Sequence, residues 1–216
     1  MNDHQVEKTI GLEVASKLLD IEAIKLNIQS PFTWSSGWKS PIYCDNRLSL
    51  SYPEIRSFIK AKLSENIKTA YPDVEAIAGV ATAGIPQGAL VAEELGIPFI
   101  YVRSKPKGHG MENMIEGKVT KGQKVVVVED LVSTGGSSLK AAEALIKSKF
   151  EVLGMAAIFT YGFDLADQNF KDAGIQLFCL SNYSLLLEEA LKRDYIQEEQ
   201  MELLGNWRKD PANWSA

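Results

Sequence analysis

Two acidic residues, Glu129 and Asp130, follow four consecutive valines and precede the small residues of segment 133–138. A run of β-branched residues is typical of a parallel-sheet strand that is buried on both faces. The apolar spacing from Leu139 onward predicts a helix, so backbone N–H groups and the positive end of its dipole favour a bound phosphate at 133–138. The two carboxylates suit a sugar phosphate, because they can accept hydrogen bonds from ribose hydroxyls or hold Mg²⁺.

The segment 125–138 resembles the phosphoribosyl-pyrophosphate signature of the type I phosphoribosyltransferases, in which apolar residues lead into two acids and a hydroxyl- and glycine-rich loop. Neither a G-x-x-x-x-G-K-[ST] nor a G-x-G-x-x-G motif occurs in this segment. The resemblance implies that the loop backbone binds the 5-phosphate and that the acids bind the ribose, directly or through Mg²⁺. Mg²⁺ is expected to bind chiefly through substrate oxygens, with Asp130 as the candidate for direct ligation. The predicted contacts with phosphoribosyl pyrophosphate here are Glu129, Asp130, Leu131, Val132, Ser133, Thr134, Gly135, Gly136 and Ser137.

A second strand, loop and helix are predicted at 75–80, 81–84 and 86–95. The loop is again made of small residues in front of a helix start, which is a geometry that favours a second phosphate. In the phosphoribosyltransferases, the loop at this position holds pyrophosphate. The resemblance therefore implies that Thr82, Ala83 and Gly84 bind it, although Ala83 stands where several members have lysine.

Segment 30–47 is rich in turn-forming and aromatic residues and predicts a hairpin, either packed over a pocket or lying on the surface. The string F-T-x-x-S-G-x-K-S-P-x-Y at 32–43 resembles the N-terminal hood of the orotate phosphoribosyltransferases, which closes over the flat pyrimidine. That resemblance implies orotate contacts from Lys39, Tyr43, Cys44 and Ser133. Ser35 and Trp38 replace positions that are often basic in the family. Segment 161–164 stands where many members have a carboxylate-binding arginine, so the group that binds the orotate carboxylate stays open.

Segment 103–121 carries five basic and two acidic residues, a local charge of +3 in a chain of net charge −5. A connection of this length is typical of a lid or of a solvated charged loop. Its first eight residues match R-x-x-x-K-x-H-G and resemble the catalytic loop of the orotate phosphoribosyltransferases. The resemblance implies that Lys107, Arg103 and Lys105 neutralise the leaving pyrophosphate and that His109 donates a hydrogen bond or proton to it. It also implies a homodimer in which loop 103–121 reaches into the neighbouring subunit's site.

Composition limits the other classes of function. A net charge of −5 and a pI near 5.2 argue against a nucleic-acid or membrane-surface partner. The start of the chain lacks a basic segment followed by an apolar one, and no stretch approaches the roughly 20 apolar residues of a membrane span, so we expect a cytoplasmic protein. Cys44 and Cys179 lack metal-ligand spacing and are expected to be reduced thiols.

These observations predict an α/β chain with the type I phosphoribosyltransferase fold: a mostly parallel five-stranded sheet, flanking helices and an N-terminal hood. We expect one domain over 1–216, with the hood at about 1–50, the core at about 51–182 and a structural helical tail at about 183–216. The ligand site should lie at the carboxyl ends of the strands. The resemblance implies Mg²⁺-dependent transfer of ribose 5-phosphate from phosphoribosyl pyrophosphate to orotate. A transferase for another base, or a non-catalytic sensor of phosphoribosyl pyrophosphate that binds nucleic acid, is the alternative.

Overall fold

The computed structural model describes residues 7–34, 36–105 and 114–214. Its helices are α1 Lys8–Asp20, α2 Pro53–Ala70, α3 Gly84–Leu95, α4 Gly136–Lys147, α5 Asp164–Ala173, α6 Tyr183–Lys192 and α7 Met201–Lys209, with 3-10 helices at Asn46–Ser51 and Glu198–Gln200. Its strands are β1 Ile24–Leu26, β2 Phe32–Thr33, β3 Lys39–Ser40, β4 Ile42–Cys44, β5 Ala76–Val80, β6 Phe99–Val102, β7 Ile115–Glu116, β8 Lys124–Val132, β9 Glu151–Thr160 and β10 Leu177–Asn182.

The central sheet has the order β10-β9-β8-β5-β6-β7. Its first five strands are parallel, as predicted, and β7 adds a sixth, antiparallel strand at the edge. The prediction of five strands missed β7 because a two-residue strand is too short to show an alternating apolar pattern. Its two residues pair with Tyr101 and Val102 of β6, which brings the end of the basic segment back to the sheet edge.

The sequence predicts that the valine strand ends on the two acids, Glu129 and Asp130, and this prediction is wrong. Strand β8 continues to Val132, because the ten-residue β9 supplies paired partners along its whole length. Leu131 faces Phe159 in this register, and Val132 faces Thr160. The two acids therefore lie within a paired strand, where the rigid ladder fixes their backbone.

The four valines are buried because the sheet is covered on both faces. Val126 and Val128 pack into one core cluster with α1, α2, α3, α6 and α7. Val125 and Val127 pack into a second cluster with α4 and α5. Successive side chains of a strand point to opposite faces, so a continuous valine run fills both layers.

The N-terminal segment forms two small antiparallel pairs, β1 with β4 and the hairpin β2 with β3. Trp34 and Trp38, in the loop of that hairpin, pack against the main core rather than facing solvent. This inward packing supports the prediction of a hairpin that covers a pocket and argues against a hairpin that simply lies on the surface. Within the described ranges, no helix has the length and apolar character needed to cross a membrane.

Candidate active site

Two small-residue loops lie side by side at the carboxyl ends of the central strands. Strands β5 and β8 are parallel neighbours, with Gly79 paired to Val128, so the loops that follow them leave the sheet at the same edge. Loop 81–83 leads into α3 and loop 133–135 leads into α4, and neither helix has a side-chain cap at its start. Their first N–H groups are therefore available to anions.

Each of the two loops depends on a glycine to pack closely against a neighbouring element. A Cβ added at Gly84 would lie 2.5 Å from the carbonyl oxygen of Val128, a distance that requires the backbone to shift. Gly135 has φ +81°, and a Cβ there would lie 2.7 Å from Phe170 Cε2. Any other residue at these two positions would therefore push its loop away from strand β8 or from helix α5.

The acid pair sits directly beside this double loop. Glu129 is only 5% exposed, and its Oε1 accepts a 3.0 Å hydrogen bond from the N–H of Asp130. Its Oε2 accepts a 3.1 Å hydrogen bond from Ser138 Oγ at the start of α4. Burial, and then the neighbouring Asp130 charge, raises the pKa of Glu129 well above its usual range. Burial also raises the pKa of Asp130, so donors on a bound ligand would stabilise both carboxylates.

We expect Glu129→Gln to stabilise the ligand-free protein. Because burial raises the pKa of Glu129 in the folded protein, the protonated carboxyl group favours folding; this stabilisation is complete below the ordinary pKa of 4.5 and is lost as the pH rises through the folded-state pKa. The variant has no carboxyl group to ionise at this position, so it avoids this loss. Its unfolding free energy should exceed that of the wild type by an amount that grows above about pH 4.5 and reaches about 1 kcal/mol or more near neutrality, which corresponds to roughly 2–4 °C in Tm. Denaturant unfolding across pH measures it. The exposed Glu151→Gln is the control, and a pH-independent difference would contradict the expectation.

A buried chain of polar side chains connects the acid pair to the hood and to α3. Asn46 Nδ2 donates a 2.7 Å hydrogen bond to the Asp130 carbonyl, and Asn46 Oδ1 accepts from the Cys44 thiol at 3.3 Å. Ser49 Oγ donates to the Asn46 carbonyl and accepts from Gln87 Nε2 at 3.2 Å. Asn46, Ser49 and Gln87 could not be predicted from the sequence, because buried polar residues in a turn and in a helix show no motif. They fix the backbone of the acid pair relative to the hood.

A cavity of about 590 Å³ opens between the hood and the loop after β8. Tyr43, Cys44 and Ser133, predicted to contact the base, line it. Lys39, also predicted to contact the base, does not line the cavity. Its Nζ donates a 2.8 Å hydrogen bond to the hydroxyl of Thr33, and Thr33 is a lining residue. Leu131 and Thr134, predicted to contact phosphoribosyl pyrophosphate, also line the cavity. Besides Thr33, the lining residues that were not predicted for the site are Trp34, Ser36, Trp38 and Tyr161.

The cavity has an aromatic wall with hydroxyl groups around it. The rings of Trp34 and Tyr161 have centroids 4.9 Å apart, and Trp34 and Trp38 are stacked at 6.4 Å. Burial raises the pKa of Tyr161 well above its usual range, so the phenol stays neutral near neutral pH. An aromatic wall with polar groups beside it suits a flat heterocycle.

The basic residues that were predicted to act on the leaving pyrophosphate differ in their surroundings. Arg103 forms an ion pair with Glu116, with Nη1 3.0 Å from Oε1, and these side chains are 38% and 34% exposed. Lys105 is exposed, whereas Lys107 and His109 lie outside the described residues. Ion pairs this exposed contribute only about 0–1 kcal/mol, so Arg103 can exchange Glu116 for a phosphate at little cost.

The oxygen donors of the site fit Mg²⁺ held mainly by a substrate. Among the residues that the structure describes, no group of three His, Cys, Asp or Glu side chains forms a metal cluster. Both carboxylate oxygens of Glu129 already accept hydrogen bonds, which leaves Asp130 as the better ligand. Mg²⁺ typically keeps several waters and takes one or two carboxylates plus substrate phosphates.

Comparison with known proteins agrees with this geometry. Residues 49–181 match the sequence model of the family described as the phosphoribosyl transferase domain. Orotate phosphoribosyltransferase from Cytophaga hutchinsonii is 61% identical over 202 residues, covering 94% of this chain and 97% of that protein.

Solved structures give the same result. The crystal structure of orotate phosphoribosyltransferase from Aeropyrum pernix is similar with a TM-score of 0.74 and 30% identity, over 85% of this chain and 99% of that one. UMP synthase from Leishmania donovani is similar with a TM-score of 0.76 and 28% identity, over 93% of this chain but only 43% of that longer one. The resemblance found in the sequence is thus confirmed, and the chain belongs to the phosphoribosyltransferase family and, within it, to the orotate phosphoribosyltransferases.

Proposed function

We propose that this protein transfers ribose 5-phosphate from phosphoribosyl pyrophosphate to a ring nitrogen of orotate, giving orotidine 5′-monophosphate and pyrophosphate in pyrimidine biosynthesis. One observation carries the proposal: the aromatic cavity and the 133–138 loop share Ser133 and Thr134. A base in the cavity would therefore lie next to a ribose phosphate held at the start of α4. The names of the relatives at about 60% identity support orotate as the base.

The residues of the chain would act mainly by positioning and by stabilising charge. The N–H groups of 134–138 would hold the 5-phosphate, and Glu129 and Asp130 would accept hydrogen bonds from the ribose hydroxyls. The bond from C1 to pyrophosphate breaks with its electron pair leaving on oxygen, and the orotate nitrogen supplies the pair for the new bond. The acids then lie beside a sugar that carries positive charge in the transition state.

The leaving pyrophosphate needs positive charge. The N–H groups at 82–84 would hold it, together with Arg103, Lys105 and Lys107, while His109 donates a hydrogen bond or proton. We propose Mg²⁺ as the cofactor, with Asp130 as its candidate protein ligand; when bound, it neutralises part of the diphosphate charge.

The cavity would select an anionic base. Its aromatic wall takes the ring of any pyrimidine, so the wall alone does not separate orotate from uracil. The Lys39 ammonium, 2.8 Å from Thr33 Oγ1, adds positive charge beside the lining. That charge favours a ring that carries a carboxylate, and the expected order of substrates is orotate well ahead of uracil.

A substrate panel tests this proposal. Purified protein is mixed with phosphoribosyl pyrophosphate, Mg²⁺ and either orotate, uracil, adenine or hypoxanthine, and base consumption is followed by absorbance. Turnover of orotate alone is expected. Turnover of another base instead would replace orotate as the substrate, and binding of phosphoribosyl pyrophosphate without any turnover would favour a sensor.

We further propose a homodimer in which segment 103–121 serves the neighbouring subunit's site. Lys107→Ala and Asp130→Asn protein, each nearly inactive alone, should regain activity when mixed, because hybrid dimers hold one site with neither substitution. With random exchange, about half of the dimers are hybrids, so recovery of up to about a quarter of wild-type activity is expected. Subunit exchange is verified with differently tagged chains. No recovery despite exchange would show that the segment serves its own subunit.

A further inference from the structure

Helix α7 packs behind the wall of the base cavity, although it lies outside the matched 49–181 region. Trp207 on this helix is 0% exposed, which makes it one of the largest fully buried side chains. Its ring lies 5.7 Å from Trp34 and 5.8 Å from Tyr161, both in edge-on geometry. Trp34 and Tyr161 line the cavity, so Trp207 supports its wall from the side of the core.

Trp207 also holds the hood backbone. Its indole Nε1 donates a 3.2 Å hydrogen bond to the carbonyl of Lys39 in β3. Lys39 pairs with Thr33 of β2, and Thr33 lines the cavity. One side chain near the end of the chain therefore fixes both the aromatic wall and the hairpin beside it.

Helix α7 is itself attached to the sheet through α6. The hydroxyl of Tyr183, the first residue of α6, donates a 3.3 Å hydrogen bond to the Leu204 carbonyl. Arg208 Nη1 donates a 2.8 Å hydrogen bond to Ser184 Oγ. Because α6 follows β10 directly, these contacts fix Trp207 relative to the central sheet, which also positions loops 81–83 and 133–135.

We propose that Trp207 is a positioning residue for the base pocket, so that recognition of the base depends on the C-terminal helix. It does not touch the base; it acts through Trp34, Tyr161 and the Lys39 carbonyl. The aromatic contacts and the hydrogen bond all lead to the hood side of the site, so the effect should fall on the base and spare phosphoribosyl pyrophosphate. The proposal rests on the proposed function and adds a specific role to a tail expected to be only structural.

Trp207→Phe tests the proposal, because it keeps a ring in the core but removes the indole N–H. The expected result is a three- to tenfold increase in the KM for orotate, with the KM for phosphoribosyl pyrophosphate changed by less than twofold. Trp214→Phe is the matched control; Trp214 lines a different cavity with Glu199 and Leu203. The control should leave both KM values unchanged. Thermal unfolding of each variant is measured in parallel.

A purely structural role would give a lower Tm with both KM values unchanged, or with both raised by the same factor, and either result would overturn the proposal. Arg208→Ala provides a milder second test should Trp207→Phe not fold, since it loosens α7 without altering its aromatic core. It should raise the KM for orotate by a smaller factor, and no selective rise would overturn the proposal. A wild-type protein that does not use orotate would instead refute the proposed function.

Discussion

Replacing Asp130 with asparagine is expected to reduce kcat/KM for phosphoribosyl pyrophosphate by at least a hundredfold. The substitution keeps the two backbone contacts, the N–H donated to Glu129 and the carbonyl that accepts from Asn46, but removes the carboxylate charge. A hydrogen bond to a charged group contributes about 1.5–3 kcal/mol, so two ribose hydroxyls account for about 3–6 kcal/mol. At about 1.36 kcal/mol per tenfold, that range corresponds to roughly two to four orders of magnitude in rate.

Steady-state kinetics on Asp130→Asn and Asp73→Asn would measure this effect. Asp73 lies near the opposite end of β8, is 74% exposed and pairs with Lys124, with 3.2 Å between the charged atoms. Asp73→Asn should retain wild-type kinetics. The Tm of Asp130→Asn should not fall, because burial already disfavours the charged carboxyl group. An Asp130→Asn enzyme within threefold of the control would contradict a ribose-binding role for Asp130.

Lys107→Ala is expected to lower kcat by at least ten- to a hundredfold with little change in the affinity for orotate. The expectation rests on the match of R-x-x-x-K-x-H-G at 103–110, since Lys107 lies outside the described residues. Charge on the leaving pyrophosphate develops in the transition state, so a cation that stabilises it affects kcat more than ground-state binding.

Lys118→Ala is the control for Lys107→Ala. Lys118 belongs to the same basic segment, is exposed, and follows the short strand β7. Single-turnover kinetics would report the chemical step of each variant, and calorimetry would report orotate binding. Near-normal turnover of Lys107→Ala would remove the catalytic assignment of this segment.

Much of the fold could be predicted from local sequence patterns. The valine run of β8 and the apolar spacing of α4 are strong local signals, and the structure has a strand and a helix at these residues. The length of β8 could not be predicted, because its last residues are held by pairing with β9 rather than by their own propensity. Strand β7 is likewise defined only by its partner.

The site likewise contains residues that local sequence predicts and residues whose place depends on distant partners. Residues of contiguous motifs could be predicted for the site from the sequence, and the structure places Tyr43 and Ser133 in the cavity lining and Glu129 beside the start of α4. Asn46 and Trp207 could not be predicted, because their roles come from hydrogen bonds to distant parts of the chain. Asn46 bonds to Asp130, which is 84 positions later, and Trp207 bonds to Lys39, which is 168 positions earlier. A buried amide and an indole in the tail have no distinctive spacing, so only the folded chain connects them to the cavity.

We infer that one continuous site runs from the hood cavity to the loops at the ends of β5 and β8. A crystal structure with orotidine 5′-monophosphate and pyrophosphate tests it most directly. We expect the pyrimidine in the cavity lined by Trp34 and Tyr43, and the 5′-phosphate on the N–H groups of 134–138. The ribose hydroxyls should face Glu129 and Asp130, with pyrophosphate near 82–84. A pyrimidine outside this cavity, or a 5′-phosphate bound away from 134–138, would contradict the account.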